Sequence, residues 1–220
     1  MHKYIKPIAA LLEEYADKEN AIGAKAYMRN QFEFFGLKAA LRRSLIKEYL
    51  KEGLPHRDQL QKIITELWQL PQREFQYFGI ALIAACKKQW DAGFIPLIEF
   101  MITHKSWWDS VDGITSEITG PFFTKYPALI KKTTGKWNTS ENLWLQRSSL
   151  LFQLKYKQKT DIQLLSKYIL RHTSSKEFFI QKAIGWVLRE YSKTNPDWVI
   201  HFVGEHQLAA LSKREALKYT

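Results

Sequence analysis

The chain holds a single cysteine, Cys86, among 220 residues. No intrachain disulfide can form, so packing must hold the fold, and a reducing cytoplasm suits such a protein. Cys86 closes the apolar run that starts at Gly79, which marks it as a buried thiol rather than a nucleophile. That run is too short to span a bilayer, and residues 1–7 carry no signal-peptide pattern ahead of Glu13 and Glu14. The protein is therefore expected in the cytoplasm, without a membrane partner. With 10 glycines and 7 prolines there is no composition for a long disordered linker. A Gly-rich phosphate loop is missing, which argues against ATP use. The 6 histidines show neither His-x-x-x-His nor Cys/His ligand spacing, so no metal and no cofactor is expected. Asp109 and Asp112, one helical turn apart, are the carboxylate pair weighed for a metal; a two-metal nuclease would want a denser cluster.

Acidic residues are also scarce: 22 Asp and Glu stand against 33 Lys and Arg, a formal charge of +11. In a folded chain with 8 tryptophans this favours a nucleic-acid partner over an anionic membrane. From Pro121 to Arg171 the only acidic residues are Glu141 and Asp161, an imbalance that suits a binding surface.

Hydrophobic periodicity is helical nearly throughout. Leu60, Ile63, Ile64 and Leu67 fall at i, i+3, i+4 and i+7, and Phe178, Phe179, Ile180, Ala183, Ile184, Val187, Leu188 and Tyr191 repeat that stripe. No stretch alternates with period two between hairpin turns, so the fold class is all-α. Pro71 suits the first turn of a new helix. Ser106, Thr139 or Ser140, Ser174 and Asn195 are the expected N-caps.

Aligned against itself at about 35 residues, the chain repeats. Gln76, Val111, Gln146 and Gln181 become equivalent, followed by Tyr77, Asp112, Arg147 and Lys182; one step earlier lies Arg42. Units of that size are helix pairs that stack into a solenoid. The expected architecture is a single domain over residues 1–220: a right-handed solenoid of stacked HEAT-like helix pairs with a concave basic face. Asp112 is then a lone carboxylate in a row otherwise suited to a polyanion. Trp108 lies four residues before Asp112 and Trp186 four after Lys182, so both indoles share that face. Trp68, Trp90, Trp137 and Trp144 are read as core. Asp112 is also placed to form a structural ion pair with Arg147 in the next repeat.

The chemistry follows from the mixture of charges. Arg147, Lys182, Arg42, Arg43 and the Lys155, Lys157, Lys159 cluster would hold phosphates, with affinity from counterion release. A carboxylate repels phosphate, so Asp112 is useful only where positive charge develops. Cleavage of an N-glycosidic bond is such a step, because the sugar approaches an oxocarbenium ion that a carboxylate can stabilise. Indole faces attract a cation as well.

Several segments carry a resemblance: residues 105–112 with their Trp-Trp-Asp-Ser-Val-Asp, 142–147, 152–157, 175–191 and 211–215. Shorter matches add Tyr27-Met28, Arg42-Arg43, 66–68 and 73–76. Together they resemble the AlkD-type DNA alkylation repair glycosylases, an all-α family of HEAT-like repeats with a concave DNA-binding face. The resemblance implies excision of cationic N3- and N7-alkylpurines, such as 3-methyladenine and 7-methylguanine, from double-stranded DNA by a monofunctional, monomeric enzyme of base excision repair. Carried over, it makes Asp112 the residue that supports the sugar cation and positions water. Trp108 and Trp186 contact the deoxyribose, and Arg147 helps to hold the backbone. Lys182, Arg43, Tyr27, Lys213 and Arg214 complete the implied DNA contacts. The base already carries positive charge and leaves without a general acid. The resemblance also implies action from the backbone side without extrusion of the base. The chain stops at Thr220, inside what reads as a final helix, where relatives often continue.

Two rivals stay open. A non-catalytic DNA-binding helical-repeat scaffold would keep its purpose after Asp112→Asn. A glycosylase with lyase activity would use an amine, for which Lys182 is in register.

Overall fold

The structure, a computed structural model, describes residues 1–219. Thr220, expected inside a final helix, lies outside the described residues, and the last described helix ends at Ala216. Among the described residues the chain is helical with no strand, apart from an isolated bridge between Glu33 and Gln72. In order the helices are α1 (Lys6–Glu14), α2 (Lys18–Tyr27), α3 (Ala39–Glu52), α4 (Arg57–Gln69), α5 (Arg73–Ala85), α6 (Ile95–Thr103) and α7 (Trp108–Ile114). There follow α8 (Gly120–Lys125), α9 (Ile130–Asn138), α10 (Leu143–Leu151), α11 (Ile162–Arg171), α12 (Phe178–Ser192), α13 (Pro196–Glu205) and α14 (Ala210–Ala216). The chain divides into two compact units, Met1–Leu97 and the residues from Ile98 onward.

In the N-terminal unit α1 packs on α3, and α3 and α4 pack on α5. The predicted stripe of α4 is its buried face: Leu60, Ile63, Ile64 and Leu67 are fully enclosed. Two charged residues at the start of α5 are buried as well. Glu74 accepts from the Phe35 and Gly36 backbone N–H groups at 3.1 and 2.9 Å, and Arg73 stacks on the Phe32 ring at 3.9 Å. Gly36 is required here, since its φ is +92° and a Cβ would meet the Asp17 carbonyl oxygen at 2.1 Å.

The C-terminal unit centres on α10, which packs against α7, α9, α11 and α12; α12 in turn carries α13 and α14. Between α7 and α8 the backbone widens into a π-helical turn, Thr115–Thr119. Pro121 supplies the reason: it has no N–H for the Glu117 carbonyl and its ring would crowd that oxygen. The Tyr156 hydroxyl donates to the nearby Gly120 carbonyl at 2.7 Å, and a Cβ on Gly120 would meet the Phe152 carbonyl at 2.8 Å.

The repeat spacing is visible in the side-chain contacts of each unit. Arg42 stacks on Tyr77 at 3.9 Å in the first. In the second, Asp112 pairs with Arg147, Thr134 with the Tyr168 hydroxyl at 2.8 Å, and Asn138 with His172 at 3.0 Å. The repeated glutamines have one job. Gln146 Nε2 donates to the Ser140 carbonyl at 2.6 Å and Gln181 Nε2 to the Ser175 carbonyl at 2.9 Å, six residues back in each case. Gln76 donates to the Leu67 and Leu70 carbonyls at 2.7 and 3.4 Å. Each glutamine ties the entering loop to its helix and so fixes the direction of the next residue.

Several expected helix starts move. α10 is capped by Asn142, whose side chain accepts from the Trp144 and Leu145 N–H groups, not by Thr139 or Ser140. Ser140 instead accepts from the Asn142 N–H. Ser106 donates to the Ile102 carbonyl while Trp107 stands at the N-cap of α7. α12 begins after Glu177 rather than Ser174, and α5 begins after Gln72, two residues past the position that Pro71 suggests. Asn195 does cap α13, accepting from the Trp198 N–H at 3.1 Å. A hydroxyl before an apolar run satisfies a cap in sequence terms, but the local loop path decides which oxygen reaches the free N–H groups.

Candidate active site

α7, α10, α12 and α14 of the C-terminal unit wall a cleft of about 300 Å³. Trp108 and Asp112 come from α7, one turn apart, and Arg147 from α10. Phe178, Phe179, Lys182, Trp186 and Arg189 come from α12, and Glu215 from α14. The three residues expected to carry the chemistry, Asp112, Trp108 and Trp186, therefore line one cavity.

The carboxylate of Asp112 is mostly enclosed, with 17% of its side chain exposed, and Arg147 shows 5%. Their pairing is bidentate: Nε donates to Oδ1 at 2.8 Å and Nη2 to Oδ2 at 2.9 Å. Arg147 Nη1 donates to the Phe179 backbone carbonyl and its guanidinium faces the Phe179 ring at 5.9 Å. This fork fixes both oxygens of Asp112 in one plane and leaves a lone pair on each. Burial pushes the Asp112 carboxyl above its ordinary value, with Asp109 adding to the effect and the Arg147 bonds opposing it. A desolvated ion pair is a weak source of stability, so its place in a cleft points to a use beyond folding.

Glu215 is the second carboxylate. Its Oε1 accepts Lys182 Nζ at 3.0 Å and its Oε2 accepts Arg189 Nη1 at 2.7 Å. The Lys182 bond holds Glu215 below the ordinary carboxylate range, burial opposes this, and Arg189 reinforces it. Behind the cleft, Trp107, Trp144 and Phe179 form a cluster with ring centroids 5.0–5.8 Å apart. Trp68, Trp90 and Trp137 are core as expected, whereas Trp144 is half-buried and backs this wall.

The implied DNA contacts fall in different places. Lys182 lines the cleft with 37% of its side chain exposed. Arg147 does so too, but it is buried, and three of its N–H groups already have acceptors, two of those the oxygens of Asp112. Lys213 and Arg214 precede Glu215 on α14, half-buried and exposed respectively. Arg43 on α3 and Tyr27 at the end of α2 are exposed residues of the N-terminal unit. Lys155, Lys157 and Lys159 are exposed around the short 3₁₀ turn Lys157–Lys159.

Sequence reasoning missed Phe178, Phe179, Arg189 and Glu215. Arg189 was within reach, standing three residues after Trp186 on the same helix face. Phe178 read as core, yet it is 55% exposed at the cleft rim. Among the described residues no three His, Cys, Asp or Glu side chains gather as a metal site, and no helix is long and apolar enough to cross a membrane.

An all-helical repeat protein with a carboxylate and two indoles in one cleft is the class that fold and site define. Residues 8–220 match the family described as DNA alkylation repair enzyme, and the chain belongs to that family. A predicted DNA alkylation repair enzyme from Enterococcus faecalis is similar in structure, with a TM-score of 0.86, 36% identity, and coverage of 93% of this chain and 96% of that one. The smu.31 protein of Streptococcus mutans UA159 shares the fold at 14% identity, with a TM-score of 0.62 over 94% of this chain and 98% of its own. None of the curated proteins compared matches the chain.

Proposed function

We propose that this alkylation repair enzyme is a monofunctional DNA glycosylase of base excision repair, hydrolysing the N-glycosidic bond of cationic N3- and N7-alkylpurines in duplex DNA. The observation that carries the reading is the enclosed carboxylate of Asp112, held rigid by Arg147, in one cleft with the indoles of Trp108 and Trp186. As the bond stretches, the deoxyribose gains positive charge. Asp112 stabilises that charge and accepts a hydrogen bond from the attacking water through a lone pair that Arg147 leaves open. The indole faces add quadrupole attraction for the same cation. An alkylated purine departs neutral, so no general acid is required. This agrees with a cleft whose other carboxylate, Glu215, is paired with two cations.

Lys182 is engaged as an ammonium by Glu215, which supports hydrolysis over attack by an amine. The protein acts in this reading as a monomer, in the cytoplasm on nucleoid DNA. Arg43, Tyr27, Lys182, Lys213 and Arg214 touch the DNA.

The test is release of 7-methylguanine from a duplex carrying that single lesion. Wild type is expected to excise the base. Asp112→Asn, compared at matched DNA occupancy, should lose at least about 100-fold in rate while still binding, as for removal of a preorganised electrostatic group. Tight binding with no release by wild type would instead establish a DNA-binding repeat scaffold.

A further inference from the structure

We infer, building on the glycosylase reading, that Glu215 is an electrostatic positioning residue: by holding Lys182 and Arg189 it keeps the cleft near neutrality where the sugar cation forms. The protein carries +11, yet three cations and two carboxylates line this cleft, a formal balance of +1. Lys182 and Arg189 stand four residues before and three after Trp186 on α12, so they flank the indole. Unpaired, they would grip phosphate more strongly and oppose positive charge on the deoxyribose beside that indole.

The packing of α14 places the carboxylate between them. Ser212 Oγ donates to the Gln181 carbonyl at 2.9 Å, which pins α14 on α12. Gly185, between the two cations, leaves room for Glu215: a Cβ there would meet the Glu215 Cβ at 2.4 Å and the Ser212 carbonyl at 3.0 Å. With 16% of its side chain exposed, Glu215 is only partly screened by solvent and acts on its two partners at hydrogen-bond distance.

The consequence is a trade with opposite signs for binding and chemistry. Glu215→Gln keeps the shape and removes the charge. Binding to undamaged duplex is measured by fluorescence anisotropy between 50 and 200 mM salt, and 7-methylguanine release under single turnover at saturating protein. The variant is expected to bind more tightly at low salt. Each cation released to a phosphate steepens the salt dependence, with about 3.5-fold more affinity lost across that range. Base release is expected to slow roughly tenfold. Glu205→Gln, on α13 and exposed, removes the same charge elsewhere and should change neither quantity. In a Lys182→Met, Arg189→Met background the binding gain of Glu215→Gln should vanish. Weaker binding together with slower release would mean a general structural lesion and would overturn the inference, as would unchanged release by the variant of an active wild type.

Were wild type to release no base, the glycosylase reading would fall. The salt slopes would still decide separately whether Glu215 restrains the two cations: a steeper slope in the variant supports this and an unchanged one refutes it. Glu215→Ala serves the same comparison should the glutamine variant not fold.

Discussion

Arg147→Met removes the fork that holds Asp112 while keeping an unbranched side chain in the same space. In wild type both partners are mostly enclosed, at 5% and 17% exposure. Stripping one partner from a buried pair costs about 3–5 kcal/mol. The cleft is open on one side, so the lower end, about 3 kcal/mol, applies. The Phe179 carbonyl also loses its donor, adding about 1 kcal/mol. For a chain of this length each kcal/mol moves the melting midpoint by about 2–4 °C. A fall of about 8–16 °C is therefore expected near pH 8.

The loss should shrink as the pH is lowered. In the variant Asp112 keeps the burial that raises its pKa and loses the Arg147 bonds that lower it. Its folded value then lies further above the unfolded one, so the native state binds a proton more readily and gains relative stability as pH falls. By the same sign, the acid limb of base release, which needs the carboxylate ionised, should move to higher pH in Arg147→Met. In wild type it should already lie above the ordinary aspartate range. Calorimetric melting at pH 5 and pH 8, with release rates across that interval, checks both. An equal loss of midpoint at the two pH values would refute an unpaired carboxylate as the cause.

His172 is buried and accepts from Asn138 Nδ2 at 3.0 Å; burial holds its pKa below the usual value and Arg171 adds to this. Because the unfolded chain binds that proton more readily, stability present above about pH 6.5 should decline as the pH falls below it. His172→Gln should flatten this part of the melting-midpoint profile, and identical profiles would argue against the assignment. Gly185→Ala is expected to cost about 1–3 kcal/mol in denaturant melts, because the added methyl overlaps Glu215 Cβ. Slower base release should accompany it, and an unchanged melt would show that α14 is not seated as described.

The sequence by itself determined that the protein is all-helical, because apolar spacing at 3.6 residues leaves no sheet alternative. It also placed Asp112, Trp108 and Trp186 together, because a repeat of about 35 residues makes equivalent positions neighbours and a four-residue step keeps one helix face. The same register anticipated the Asp112–Arg147 pair. It could not tell a pair on the surface from one that is enclosed. Burial depends on how Phe179 and Trp107 pack with Trp144 of α10, and that is a sum of contacts distant in the chain. Helix starts shifted for a similar reason: Ser140 and Asn142 are both cap-forming types, and only the loop path brings the Asn142 oxygen to the free N–H groups. Glu215 lay wholly outside the register, 26 residues from Arg189 and on a helix that the repeat did not assign to this face. Its place between two cations exists because Gly185 lets α14 approach α12. Close approach is a property of two surfaces meeting, which only the tertiary structure decides.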